Sequence, residues 1–152
     1  RRRHVMVLRN HAPQTALEAK FSMEFAMASA LIAGRTSLAE LTDDFVRRSD
    51  VQVLMKRVVV VPDDREDPAR SGPAIHDQVT IETSDGRRLE SGPIVKVRGG
   101  PEAPLSREEL WAKFEGCVQA GTARVPARKL FDALMSLDRL PHVRELPGIA
   151  AS

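Results

Sequence analysis

The longest apolar pattern in the chain runs from Leu17 to Gly34 and predicts one central helix. Its apolar residues recur every three or four positions, as the buried face of a helix requires. They are Leu17, Phe21, Phe25, Ala28 and Ile32. A second face carries small residues and methionines, and a helix that is apolar on most sides is normally buried. Thr15 with Glu18 predicts a capping box at its start, and Gly34 predicts its end.

Shorter apolar runs elsewhere in the chain predict strands. Four consecutive valines at 58–61 are too apolar for an edge strand and too short for a helix, so they predict a buried central strand. Residues 3–9 read as an additional strand. Residues 78–83 alternate between apolar and polar, and Ser84-Asp85-Gly86 then predicts a hairpin turn. The returning strand covers 87–90, with more strand at 94–97, so we expect an antiparallel sheet.

Helical patterns precede and follow the 78–97 strands along the chain. Ser37 with Glu40 predicts a capped helix that ends near Arg48, followed by a short helix at 51–56. Ser106 with Glu109 predicts another capping box. We expect four residues of that helix to point inward: Leu110, Phe114, Cys117 and Val118. Further helices are predicted at 126–137 and 140–146, and the whole order is typical of an α+β fold.

Composition and charge exclude several classes of protein. The chain has 152 residues and a net charge of +2, with dispersed basic residues, which argues against a nucleic-acid-binding protein. No segment is long and apolar enough to predict a membrane span. The single Cys117 cannot form an internal disulfide, which is typical of a reducing compartment and predicts a cytoplasmic protein. Because the chain opens without Met directly into a strand-like segment, we expect it to be a piece of a longer protein.

Candidate chemistry is concentrated around the start of the central helix. No metal site is predicted, because the four histidines lack ligand spacing and the acidic loop at 63–67 matches no calcium pattern. Lys20 and Ser22 either face a ligand cavity, or Lys20 extends its amine to solvent while its stem covers the core. His11 precedes the helix in a loop containing proline. A ligand carboxylate could bind the free N–H groups at 15–17, one turn from Lys20.

Several short motifs follow one another in a defined order: Glu18-Ala-Lys-Phe-Ser, Asp85-Gly86, Pro104-Leu-Ser and Lys113-Phe114. In this order and spacing they resemble the C-terminal part of the MmgE/PrpD family. The segments that share the resemblance also include 28–34, 45, 50–58, 79–83 and 99–101. That family includes 2-methylcitrate dehydratase, cis-aconitate decarboxylase and iminodisuccinate epimerase. The resemblance to this family covers nearly the whole chain.

The resemblance implies part of a cofactor-independent lyase, of the hydro-lyase type, or of an isomerase. Such an enzyme removes a proton beside a carboxylate of a small di- or tricarboxylate, and 2-methylcitrate dehydration in propionate metabolism is the favoured reaction. A large helical domain is expected to come first and to carry the main acid and base residues. Residues 1–104 would then form a smaller α+β lid domain. Residues 105–152 would be helices that close this domain or pack on the helical one.

The same resemblance gives expectations for the site and the assembly. Lys20 and Ser22 match the lid motif of the family and, with His11, are the candidate substrate-binding residues. No catalytic residue is assigned within this chain, no metal or cofactor is expected, and the chain alone should be inactive. The whole protein is expected to be a homodimer. Two alternatives stay open: a stand-alone binding module for a small carboxylate or a protein, and a small independent enzyme.

Overall fold

The computed structural model describes residues 7–62, 76–122 and 124–148. In these ranges the chain forms six α-helices, a two-stranded antiparallel sheet and two 3-10 turns, and the predicted α+β class is confirmed. The elements are α1 (Ala16–Ala19), α2 (Met23–Ala33), α3 (Asp43–Val46), α4 (Ser49–Met55), β1 (Thr80–Glu82), β2 (Arg88–Glu90), α5 (Arg107–Ala120), α6 (Ala127–Leu134) and the 3-10 turns Leu137–Arg139 and Val143–Glu145. The chain divides into two compact units, residues 1–36 with 41–104 and residues 37–40 with 105–152.

The predicted central helix is in fact two helices. The capping box of Thr15 and Glu18 is confirmed at the start of α1, but α1 has only four residues. The hydroxyl of Ser22 accepts a hydrogen bond from the N–H of Phe25 and caps a new helix, α2. A serine side chain that binds the backbone in this way competes with helix continuation. Leu17 is therefore 67% exposed, and the prediction that it lies on the buried face is wrong.

The core of the first unit forms where α2 packs against α4. Its buried side chains are Ala19, Phe25, Ala28, Val46, Val51 and Met55. The rings of Phe25 and Phe45 meet edge to face with centroids 6.1 Å apart, a favourable arrangement for two aromatic rings. The Gln52 amide donates to the carbonyls of Pro13 and Val46, so it links α4 to the loop before α1 and to α3.

The hairpin follows the prediction closely. β1 and β2 are antiparallel, with Ile81 opposite Leu89, and the turn uses Gly86 at a φ of 84°. A single bridge between Asp77 and Ile94 extends the pairing beyond the two strands. Along residues 78–83 exposed and half-buried side chains alternate, as the sequence predicts for a strand with one covered face.

One prediction for the first unit is wrong, and a second is contradicted at its C-terminal end. The valines at 58–61 lie in no strand, and Val59 and Val61 are each 81% exposed. A buried strand needs hydrogen-bonded neighbours, and no segment in the described ranges pairs with these valines. Of the strand predicted at 3–9, residues 3–6 lie outside the described residues, while Leu8 and Arg9 have no regular structure.

The helix predicted from Ser37 is a turn, so that prediction is also wrong. The carboxylate of Glu40 accepts hydrogen bonds from both the N–H and the hydroxyl of Ser37, at 3.0 and 2.6 Å. This closes the turn on itself without continuing into a helix. The next helix, α3, begins instead after Thr42, whose hydroxyl accepts from the N–H of Phe45.

The second unit packs α5 against α6 through three aromatic rings. The predicted capping box of Ser106 and Glu109 opens α5. Trp111 and Phe114 contact Phe131 of α6, with ring centroids 5.3 and 5.5 Å away. The face of α5 that contacts α6 therefore includes Trp111, which the predicted set of inward-facing residues did not contain. Cys117 is exposed, so the prediction that it lies on the buried face is wrong.

We predict opposite effects for two glycine-to-alanine substitutions. Gly34 ends α2 at a φ of 70°, so Gly34→Ala forces an alanine into the left-handed region and should destabilise by about 1–2 kcal/mol. Gly116 lies inside α5 with open space around its missing Cβ. Gly116→Ala should therefore stabilise by about 0.5–1 kcal/mol. Chemical denaturation measures both, and an equal loss in the two variants would contradict the helix boundaries.

Candidate functional site

The three candidate residues gather around the break between α1 and α2. Asn10 holds the preceding loop across this break with two hydrogen bonds. Its N–H donates to the carbonyl of Phe21 at 3.1 Å, and its side-chain amide donates to the carbonyl of Glu18 at 2.9 Å. His11 follows Asn10, and Lys20 precedes Phe21. Each of these two candidates is therefore one residue away from the hydrogen bond that joins Asn10 to Phe21.

His11 is bound to a buried carboxylate. Its Nδ1 lies 2.7 Å from Oε1 of Glu24, in the first turn of α2. Glu24 is only 7% exposed, whereas the His11 side chain is 67% exposed. An ionised carboxylate only accepts hydrogen bonds, so the proton of this bond belongs to Nδ1. The other ring nitrogen, Nε2, is the one that Glu24 does not engage.

Ser22 is buried and connects the helix start to this carboxylate. Its hydroxyl accepts from the N–H of Phe25 at 3.1 Å and donates to Oε2 of Glu24 at 3.3 Å. Each oxygen of Glu24 therefore has a partner, as a buried charged group requires. The serine fixes both the first residue of α2 and the position of Glu24.

Lys20 ends α1 and is exposed. Its backbone N–H donates to the carbonyl of Ala16, which completes the last turn of α1. In the part of the chain that the structure describes, its ammonium group makes no hydrogen bond or ion pair. A compact cation on a flexible stem is therefore available to an anionic ligand at the helix break.

The backbone at the start of α1 is occupied by the protein's own carboxylates. Asp43 accepts from the N–H of Ala16 at 2.8 Å, and Glu18 accepts from the N–H groups of Gln14 and Thr15. These backbone hydrogen bonds, the one from Gln14 first, hold the pKa of Glu18 below its ordinary value. The expectation that the N–H groups at 15–17 are free for a ligand carboxylate is therefore wrong at Thr15 and Ala16.

Other places in the chain do not add to this site. Among the described residues, no group of three potential metal ligands comes together. The acidic loop at 63–67 lies outside the described residues. A depression of about 250 Å³ in the surface is lined by Val97, Gly100, Pro101 and Glu102, and it includes none of the candidates. No helix in the described ranges has the length and apolarity that a membrane span needs.

Sequence reasoning missed the role of Glu24. The available signal was a charged residue on a helix that is otherwise apolar on most sides, since a buried carboxylate there must have partners. The partner could not be found by helical spacing because His11 lies in the preceding loop. The hydrogen bonds of Asn10 to Phe21 and Glu18 hold that loop at the helix break, and the sequence pattern does not contain these contacts.

The fold is that of a small α+β domain with a polar cluster at a helix break. The MmgE/PrpD C-terminal domain is the family whose model matches the chain, over residues 2–138. The chain belongs to this family, and the predicted resemblance is confirmed. A search of curated proteins gives no match.

We predict that Ser22→Ala destabilises the protein by about 1–2 kcal/mol. The substitution removes the cap of α2, and it also removes a hydrogen bond to a buried carboxylate. Ser84→Ala is the matched control, because Ser84 is exposed in the hairpin turn, and it should change stability by less than about 0.5 kcal/mol. Urea denaturation compares the two. Equal stability of both variants would contradict the capping role of Ser22.

Proposed function

We propose that this chain is the lid of an enzyme that removes a proton beside a carboxylate of a small di- or tricarboxylate. The family match over residues 2–138 carries this proposal. Dehydration of 2-methylcitrate is the favoured reaction, which would place the enzyme among the hydro-lyases of propionate metabolism. The reaction as proposed needs no metal and no organic cofactor. The main acid and base residues belong to a helical domain that precedes this one.

The lid in this proposal holds the substrate and excludes water. A di- or tricarboxylate carries two or three negative charges, and the exposed ammonium of Lys20 is suited to pair with one of them. A charge pair is stronger when closure of the lid removes water around it. The substrate would then be fixed while the other domain removes its proton.

Ser22 contributes to the proposed site by fixing the position of Lys20. Ser22, two residues after Lys20, is the cap that defines where α2 begins. Lys20 therefore lies in a short connection between two helix ends, where the backbone is fixed by hydrogen bonds on both sides. A charged side chain on such a connection can reach a ligand without disturbing the apolar core.

The assembly and location belong to the same proposal. We propose a homodimer formed through the helical domain, located in the cytoplasm. The single cysteine of the chain agrees with a reducing compartment. Size-exclusion chromatography with light scattering on the whole protein would test the dimer.

An activity screen tests the proposed function directly. The product of the complete gene is assayed against 2-methylcitrate, citrate, cis-aconitate and iminodisuccinate, with the 152-residue chain beside it. Turnover by the complete protein and none by this chain supports the lid proposal and identifies the substrate. Turnover by this chain alone would contradict it, because the acid and base residues would then have to lie within these residues.

We predict that Lys20→Met in the complete enzyme raises KM by about 10- to 100-fold and changes kcat less. The expected loss is that of one charge-assisted hydrogen bond, about 1.5–3 kcal/mol, in substrate binding. Thermal stability should not change, because the Lys20 side chain is exposed. Lys129→Met on the exposed face of α6 is the control and should leave KM unchanged. If both variants bind substrate like the wild type, Lys20 is not a substrate contact.

A further inference from the structure

The pair of His11 and Glu24 joins a buried carboxylate to an exposed imidazole. The carboxylate is almost fully buried, and the imidazole bound to it is two-thirds exposed. A purely structural partner for a buried carboxylate would usually be a backbone N–H or a buried side chain. Here one face of the pair is fixed in the protein and the other is open to a ligand.

We propose that Glu24 is a positioning residue that holds the His11 imidazole by Nδ1 and turns Nε2 outward, as a hydrogen-bond donor to a substrate carboxylate. This inference rests on the proposed function and extends it from Lys20 to a second contact. A ring nitrogen that is bound to a carboxylate fixes the orientation of the imidazole and determines which nitrogen remains for the ligand. The 2.7 Å bond from Nδ1 to Glu24 leaves Nε2 for that task.

The ring binds a ligand carboxylate as an imidazolium, in which both nitrogens carry a proton. The Nδ1–H donates to Glu24, the Nε2–H donates to the ligand, and the second proton comes from solvent. The imidazolium then lies between two carboxylates, one from the protein and one from the substrate. No covalent bond to the substrate forms or breaks in this arrangement.

The surrounding hydrogen bonds give Glu24 the rigidity that a positioning residue needs. Its second oxygen accepts from the hydroxyl of Ser22, which is itself fixed by the N–H of Phe25. On the other side, the N–H of Asn10 binds the carbonyl of Phe21 and holds the loop that carries His11. Both ends of the pair are therefore anchored to the same helix break.

The position of Lys20 supports a shared ligand. The hydrogen bond between the N–H of Asn10 and the carbonyl of Phe21 joins the residue before His11 to the residue after Lys20, so both exposed side chains belong to the same helix break. Two donors of this kind suit a ligand with two or three carboxylates, whereas a monocarboxylate would use only one of them. We therefore expect His11 to discriminate in favour of di- and tricarboxylates.

His11→Asn in the complete enzyme separates the binding role from the structural one. The asparagine amide takes the place of Nδ1–H and keeps the bond to Glu24, but it has nothing in the place of Nε2. We expect KM to rise about tenfold, with little change in kcat and an unchanged melting temperature. His142→Asn is the control and should match the wild type, since His142 is exposed and its side chain caps no helix.

Substitutions of Glu24 test whether it acts through His11. Glu24→Ala removes the acceptor for Nδ1–H, so KM should rise as in His11→Asn. Glu24→Gln keeps an acceptor oxygen and should recover most of that loss. In the double variant with His11→Asn, Glu24→Ala should raise KM no further. Additive effects on KM would show that Glu24 does not act through His11, and would overturn the positioning role.

The outcomes distinguish this inference from the proposed function. If the wild type turns over one of the four acids and His11→Asn keeps the wild-type KM, the inference is wrong and the proposed function stands. If the wild type turns over none of them, the proposed function fails, and the inference fails with it. A rise in KM for His11→Asn at an unchanged melting temperature supports both.

Discussion

The hydrogen bond from the Phe25 N–H to the Ser22 hydroxyl determines where α2 begins, and the first unit is arranged around that start. With α2 beginning at Met23, Phe25 and Ala28 face α4 and form the centre of the core. Glu24 then points to the loop that carries His11. A continuous helix from residue 16 would contain no such break, and Lys20 would lie on an ordinary helical turn. The local cap therefore creates both the packing and the polar cluster.

The buried part of the polar cluster is stable because both oxygens of the Glu24 carboxylate have a partner. A buried carboxylate without a counterpart would cost several kcal/mol, which is a large part of the stability of a small domain. Glu24 avoids this cost through Ser22 and His11, one on each oxygen. Among the described residues, no buried side-chain nitrogen or oxygen is left without a hydrogen bond. The proposed function uses the exposed sides of this arrangement, namely Lys20 and the free edge of the His11 ring.

Local signals in the sequence predicted the local structure well. The capping boxes at Thr15 and Ser106 and the turn at Gly86 are all found where the residues predict them. Each depends on contacts within about four residues, which the sequence contains in full. The family resemblance, carried by short motifs in a defined order, is also confirmed.

Predictions that depended on distant contacts were less successful. The valines at 58–61 have the composition of a buried strand, but burial requires partner strands that the pattern itself cannot supply. The start of α1 offers N–H groups to a ligand, yet Asp43, 27 positions further along, binds one of them. Glu24 and His11 are 13 positions apart and meet only through the tertiary fold. One local signal was also missed: helical periodicity treated Ser22 as one more position in a helix, although its hydroxyl, bonded to the N–H three residues further along, interrupts that helix.

A crystal structure of the complete enzyme with a bound tricarboxylate, such as citrate, would show whether Lys20 and His11 hold the substrate. We expect one carboxylate to lie within hydrogen-bond distance of the Lys20 ammonium group and another within that distance of His11 Nε2. We also expect the bond between His11 Nδ1 and Glu24 to be retained in the complex. A ligand bound in the cleft between the domains without contact to either residue would contradict the account.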